Sequence, residues 1–155
     1  MTEKPRKILV ATDFSECSNQ ALRTAISLGR SLSAELTLFH AYSLPVYMFP
    51  DGAVLPGPEM TARMLGQVTE HIEAAKKGLL AEGISVKTET AQGNAVDEIV
   101  QAAAVGHYDF LVLGTHGWSG LKHALLGSVA ERVVRKAPCP VITVRLQDKP
   151  RKHES

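Results

Sequence analysis

Between Val112 and Val134 the chain reads VLGTHGWSGLKHALLGSVAERVV, and Gly114, Gly117, Gly120 and Gly127 all fall directly after an apolar run. A glycine inside a regular element costs about 0.5–1 kcal/mol against alanine, so a cluster of them needs a reason. Gly127 and Ser128 open a helical pattern. The start of a helix carries unpaired N–H groups and about half a positive charge, which together suit a phosphate. A serine hydroxyl there either adds a hydrogen bond to a phosphate oxygen or caps the helix. Capping accounts for Gly127 and Ser128 taken alone, but not for four glycines in one loop. Two general phosphate-loop patterns, G-x-x-x-x-G-K-[ST] and G-x-G-x-x-G, are absent, which argues against a P-loop NTPase or an ordinary dinucleotide enzyme.

The elements that must position this loop alternate along the sequence. KILVATD (7–13) is a short, nearly continuous apolar run, as in a strand buried on both faces. In the segment after it, Ala21, Leu22, Ala25, Leu28, Gly29 and Leu32 recur at steps of three and four, with Ser15 as N-cap and Glu16 at the positive end. ELTLFHAY (35–42) is the second strand. Pro45, Pro50, Pro56 and Pro58 then predict a long loop that no element crosses. A helix is expected from Glu59 to Glu82, with Met64, Leu65, Val68, Ile72, Ala75 and Leu79 as its core stripe and Gly83 in the left-handed position beyond it. ISVKTET suits an edge strand, NAVDEIVQAAAV a helix capped by Asn94, YDFLVLG a buried strand, SVAERVVRKA a helix and PCPVITVR the last strand.

This order, β-α-β-α-β-α-β-α-β, predicts an α/β fold: a Rossmann-like, doubly wound, five-stranded parallel sheet with helices on both faces. With Ile8–Ala11 and Phe110–Leu113 as central neighbours, the strand order is 3-2-1-4-5. Ligands then bind outside the carboxyl ends of strands one and four. Residues 1–146 form one domain, and the charged stretch 147–155 reads as a frayed tail.

Gly114, two residues, Gly117, nine residues, Gly127 and Ser128 make G-x2-G-x9-G-[ST]. This resembles the ATP-binding signature of the universal stress protein family. KILVATDFSECSNQAL is similar to the family's opening strand and helix, and 108–145 to its closing half. The resemblance implies a nucleotide-dependent binding and signalling module in stress response, with ATP as ligand. It places Asp13 near the ribose and phosphates, flanked by Ala11 and by Thr12, which lends backbone contacts. Ala41 would present its backbone to the adenine edge. Gly114 and Gly117 would line the ribose and first phosphates, with His116 between them on a phosphate or the ribose. Gly127, Ser128 and Val129 would hold the outer phosphates through N–H groups and one hydroxyl. A bulky residue at 127 would then fill phosphate space in an intact fold. Mg2+ or Mn2+ would ride mainly on the nucleotide's own phosphates.

Catalysis needs more than a binding site. No Ser-His-Asp set, carboxylate pair or phosphate-loop lysine is visible in the sequence, so at most slow ATP hydrolysis is expected. A hydrolase or transferase of the same α/β class is the alternative reading. His40 reads as a packed strand histidine; His71, His107, His123 and His153 lack metal spacing. Arg132 and Arg135 suit a solvated helix face, and Trp118 either covers a nucleotide or packs on a second subunit. A net charge of +1 and the lack of a basic stripe argue against nucleic acid. Cys17 and Cys139, isolated from one another, read as reduced thiols in a cytoplasmic protein. No stretch suits a membrane span or signal peptide. The last strand is an apolar edge without a charged gatekeeper, which invites pairing with another chain. Family resemblance implies a homodimer through Val141–Val144, besides an unidentified protein partner.

Overall fold

The structure is a computed structural model that describes residues 6–117 and 126–147. Trp118, Gly120, His123, His153 and all but the first residue of the expected tail lie outside the described residues.

Strand β1 (Lys7–Ala11) runs through the middle of a parallel sheet. Helix α1 (Glu16–Leu32) leads back to β2 (Glu35–Tyr42). After β3 (Tyr47–Phe49) and β4 (Gly52–Val54) come α2 (Pro58–Ala81), β5 (Lys87–Gln92), α3 (Ala95–Val105), β6 (Phe110–Gly114), α4 (Ser128–Lys136) and β7 (Val141–Val144). The sheet order is β5-β2-β1-β6-β7. With the two strands of the separate hairpin set aside, this is the expected 3-2-1-4-5. In register, Ile8 faces Leu36 on one side and Phe110 on the other. Alternate residues of β1 supply two different cores. Ile8 and Val10 pack with Ala21, Ile26, Ile72 and Leu79 of α1 and α2. Leu9 and Ala11 pack with Val96 and Ile99 of α3 and Ala130 and Val133 of α4. The period of two in the strand thus places a pair of helices on each face.

Caps fall where the sequence puts them. The Ser18 N–H donates to Ser15 Oγ (3.3 Å), and the Val96 and Asp97 N–H groups donate to Asn94 Oδ1 (3.1 and 3.3 Å). Gly83 has φ +79° beyond α2.

Two expectations are corrected. The segment expected to be a loop without elements contains an antiparallel hairpin, in which Tyr47 pairs with Val54 and Phe49 with Gly52. Its prolines do not prevent this, because none lies within a strand. Pro50 and Asp51 form the turn, where a missing N–H and a preset φ are useful. The stripe on α2 is core only at its far end. Ile72 and Leu79 are 4% exposed, whereas Leu65 is 37% exposed. A 24-residue helix is roughly 36 Å long, and strands of five to eight residues reach about 17–26 Å, so the first turns of α2 outrun the sheet.

This division predicts that Leu111→Ala, in a side chain with no exposure, costs about 2–5 kcal/mol in urea denaturation. Leu65→Ala should cost less than about 0.5 kcal/mol. Equal losses at the two positions would contradict the partition.

Candidate functional site

A cleft of about 490 Å³ opens at the carboxyl ends of β1 and β6, the point where the winding of the sheet reverses. Ala11, Thr12, Asp13, Ala41, Gly114, His116, Gly117, Gly127, Ser128 and Val129 all line it. Its two ends differ in character. Phe39 and Ala41 of β2 and Ala95 and Ile99 of α3 form an apolar slot. The other end is polar and consists of the β6 exit, the turn after it and the start of α4.

At the exit of β1 the backbone turns sharply. Phe14 sits at φ +62°, a left-handed conformation unusual for an aromatic residue. Two local hydrogen bonds hold it: the Phe14 N–H donates to Thr12 Oγ1 (3.0 Å) and the Ser15 N–H to Asp13 Oδ1 (3.0 Å). Thr12 Oγ1 also lies 3.1 Å from Ser18 Oγ. Packing completes the elbow. The Phe14 ring lies 4.7 Å from that of His40 and 5.4 Å from that of His71. Nδ1 of His40 is 2.8 Å from the Thr12 carbonyl, which can only accept, so Nδ1 carries the proton. His40 is therefore the packed histidine that the sequence suggests. Nothing in the sequence flags the strained Phe14, because no glycine marks the turn.

The glycines that follow β6 have specific structural causes. A Cβ on Gly114 would lie 2.8 Å from Cys17 Sγ and 3.1 and 3.2 Å from the carbonyl carbon and oxygen of Cys17. The first turn of α1 crosses there, and the buried Cys17 thiol donates to the Val144 carbonyl at 3.4 Å. A Cβ on Gly117 would meet Asp13 Oδ2 at 2.5 Å, and one on Gly127 would meet the Thr115 carbonyl at 2.9 Å. Gly127 is thus tight against the protein's own backbone, and a bulky residue there would shift the loop besides filling ligand space.

Two sequence-based roles change. The Gly127 N–H is not open to a ligand, because it donates to the Thr115 carbonyl at 2.6 Å. Ser128 does not cap α4. It is the first helical residue, Gly127 is the cap, and this helix receives no hydrogen bond from a capping side group. The first N–H groups of α4, from Ser128 to Ala130, consequently begin a helix whose start faces the cleft. Thr115, to which the sequence assigns no role, holds this arrangement together. It is 4% exposed, and its N–H donates to Val144 O at 2.9 Å. Its hydroxyl lies 2.9 Å from His116 Nδ1. The opposite ring nitrogen, His116 Nε2, is enclosed and has no partner, the only such side-chain atom among the described residues. An enclosed polar atom without a partner costs about 1–3 kcal/mol, which a ligand group can offset.

Other candidates fall away from the cleft. Arg135 pairs with Glu131 at 2.8 Å on an exposed face, and Arg132 is exposed. Cys139 is a free thiol whose pKa is pushed up by burial and by the nearby Asp109 charge, which makes it a poor nucleophile. Among the described residues no three metal-ligating side chains gather, and no helix is long and apolar enough to cross a membrane.

From these distances Gly114→Ala should destabilise the fold by about 1–3 kcal/mol in urea denaturation, since backbone of α1 must move. Gly117→Ala should cost less than Gly114→Ala, because the atom it meets ends a side chain rather than belonging to backbone, although moving the Asp13 carboxylate also loosens its bond from the Ser15 N–H. The reverse ranking would contradict the assignment of causes.

The Universal stress protein family model matches residues 4–145. Universal stress protein MJ0531 of Methanocaldococcus jannaschii is 34% identical over 148 residues, covering 95% of this chain and 84% of the relative. The solved structure of MJ0577, from the same organism, superposes with a TM-score of 0.75 at 28% identity, over 93% of this chain and 98% of that one. An Arabidopsis thaliana family member with AMP bound has the same fold, with a TM-score of 0.65 at 21% identity over 92% and 93% of the chains. Further neighbours are in complex with cAMP (TM-score 0.67, 24% identity, 90% and 96% covered) and, from Archaeoglobus fulgidus, with dAMP (0.63, 20%, 91% and 98%). With the family model spanning nearly the whole length and the sheet wound as that family's is, the chain belongs to the universal stress protein family.

Proposed function

We propose that this chain is an ATP-binding module whose nucleotide occupancy is sensed by a protein partner. The observation that carries the reading is the uncapped start of α4, which lies in the polar end of the cleft. Serine and asparagine side chains cap α1 and α3, whereas α2 and α4 both start on a glycine without a side-chain cap, and of these two only the start of α4 lines the cleft. Open N–H groups and the helix dipole suit an anion. The apolar slot at Phe39, Ala41 and Ile99 suits a purine ring. The relatives with AMP, cAMP and dAMP point to the same ligand class.

The lining of the cleft has the chemistry such a ligand needs. The backbone N–H groups of Ser128, Val129 and Ala130 and the Ser128 hydroxyl would hold the outer phosphates. Gly114 to Gly117 would line the ribose and inner phosphates, with His116 Nε2 as a partner to a polar ligand atom. Ala41 would offer its main chain to the adenine edge, and Asp13 would sit by the ribose and phosphates, with Ala11 and Thr12 beside it. Mg2+ or Mn2+ would arrive on the phosphates and neutralise their charge. In this reading occupancy rather than turnover is the output. Labelled ATP incubated with the protein should stay intact. Turnover above about 1 s⁻¹, the lower end of ordinary enzyme rates, would replace this reading with a hydrolase.

A backbone test is available because α2 begins on Pro58 after Gly57 at φ −63°, ψ 168°, and Gly127 has nearly the same backbone, φ −68°, ψ 164°. Proline therefore fits at position 128. Ser128→Pro removes one N–H and the hydroxyl without breaking the helix. ATP affinity by calorimetry should fall about 10- to 100-fold, the loss of one or two charge-assisted hydrogen bonds, while urea stability changes little. Unaltered affinity in this variant would refute phosphate binding at α4.

The proposal includes a homodimer joined through β7. This strand is a sheet edge, and Val141–Val144 carry no charge. The opposite edge, β5, carries Lys87 and Glu89. Charged residues on an edge strand discourage pairing, and their absence permits it. Thr143→Lys should halve the particle mass in sedimentation at micromolar concentration; an unchanged mass would remove β7 from the interface.

A further inference from the structure

The last residues of β2 leave one stretch of backbone unclaimed by the sheet. In a parallel ladder the N–H and C=O of one residue point to the same neighbouring strand, and those of the next residue point to the other. The Thr12 N–H donates to the Phe39 carbonyl at 2.9 Å, so Phe39 faces β1. The Gly93 N–H donates to the Tyr42 carbonyl at 2.8 Å, so Tyr42 faces β5. Ala41, two residues after Phe39, therefore turns its N–H and C=O towards the β1 side. There the partner strand has run out, because its register with β2 stops at Ala11 and Phe39. The cleft begins at that point, and Ala41 lines it.

One more rung of the ladder would carry the Ala41 N–H to the Thr12 carbonyl and the Phe14 N–H to the Ala41 carbonyl. Side chains take both partners instead. His40 Nδ1 donates to the Thr12 carbonyl (2.8 Å), and the Phe14 N–H donates to Thr12 Oγ1 (3.0 Å). Phe14, at φ +62°, then leads the chain out of the strand direction. Among the described residues no backbone hydrogen bond joins Ala41 to Thr12 or Phe14. Ring contacts fix the imidazole: its centroid lies 4.7 Å from that of Phe14 and 6.5 Å from that of Tyr42.

Backbone donors and acceptors are obligatory hydrogen-bonding groups, so an unclaimed pair on a cleft wall calls for an outside partner. A donor beside an acceptor matches an edge of adenine, on which the amino group donates and the neighbouring ring nitrogen accepts. A 6-oxo purine has an acceptor where adenine has the amino donor, and would leave the Ala41 carbonyl unmatched.

We infer that His40 is a positioning residue for base recognition: by occupying the Thr12 carbonyl it stops the sheet from claiming the Ala41 N–H, and reserves that donor for a ring nitrogen of adenine. The inference rests on the reading of the cleft as an ATP site. The Thr12 hydroxyl acts in the same way for the Ala41 carbonyl, by holding the Phe14 N–H.

His40→Leu and His40→Asn test this. The two replacement side chains have nearly the same shape, but only asparagine can donate to the Thr12 carbonyl from the position of Nδ1. Calorimetry compares ATP with 1-deaza-ATP and 7-deaza-ATP, in which a C–H replaces the ring acceptor on one edge of the base or the other. One of these analogues should bind the wild type about 10-fold more weakly than ATP, the loss of one backbone hydrogen bond. In His40→Leu the Thr12 carbonyl takes the Ala41 N–H, so ATP itself should weaken about 10-fold and its advantage over that analogue should disappear. His40→Asn should restore both. A side chain that served packing alone would lower the affinity for ATP and analogue equally and leave the advantage intact. Hydrogen exchange reads the same event without a ligand: the Ala41 amide should exchange at least 10-fold more slowly in free His40→Leu than in the free wild type. The inference would be overturned by an advantage that persists in His40→Leu, by two analogues that bind the wild type as tightly as ATP, or by equal exchange of the Ala41 amide in both proteins. A wild type that binds no ATP would overturn the reading of the cleft and the role of His40 with it, a failure set apart from the others because it needs no variant or analogue.

Discussion

A single short hydrogen bond organises the mouth of this protein. The Gly127 N–H donates to the Thr115 carbonyl at 2.6 Å, closing the long excursion that leaves β6 and returns as α4. The residues on either side of this bond are committed by it. Thr115 is also tied to the end of β7 through Val144, so the exit of the central strand, the edge strand and the start of α4 share one junction. With the Gly127 donor engaged inward, the next N–H groups along α4 are left facing the cleft. Gly127 offers no side chain to compete for them, in contrast to the serine and asparagine caps of α1 and α3. A phosphate site of this kind depends on withholding a cap as much as on supplying donors.

The same junction explains why side chains are excluded around it. Gly114 leaves room for the backbone of α1 at Cys17, Gly117 for the carboxylate of Asp13, and Gly127 for the Thr115 carbonyl. Each glycine answers to a protein atom within about 3 Å before any ligand arrives. The cleft is therefore held open by packing around it, and the strained Phe14, pinned by Thr12 and flanked by His40 and His71, fixes the exit of β1, where Thr12 and Asp13 line the cleft. Strain tolerated at such an elbow is characteristic of sites where the surrounding structure over-determines the backbone.

Away from the cleft, the molecule divides its surfaces by charge. β5 closes one side of the sheet with Lys87 and Glu89, and Lys87 pairs with Glu35 at 3.1 Å on the neighbouring strand. β7 and the hairpin carry no such protection. The two differ in their ties to the cores: Ile142 and Val144 of β7 pack against one core and Val141 against the other, whereas both strands of the hairpin are exposed.

Much of this was legible in order along the sequence. Buried strands read as continuous apolar runs because both of their faces are covered, and helices read as stripes because only one side is. The cap residues Ser15 and Asn94 and the left-handed Gly83 are local chemistry, complete within a few residues. Of the residues assigned to the cleft, Gly114, His116, Gly117, Gly127, Ser128 and Val129 lie in or beside one loop pattern, whereas Ala11, Thr12, Asp13 and Ala41 came only from the family resemblance. What the sequence could not state is who touches whom. It could not show that Gly114 yields to α1 rather than to a ligand, that Thr115 takes the Gly127 donor, that Phe14 turns left-handed without glycine, or that α2 outruns the sheet and leaves Leu65 exposed. It marked prolines in the 43–58 segment and missed that all of them fall outside two short strands. Periodicity and capping depend on near neighbours and are written there. Close approach, shared carbonyls and exposure depend on elements as far apart in sequence as Cys17 and Val144, and only the folded sheet brings them together.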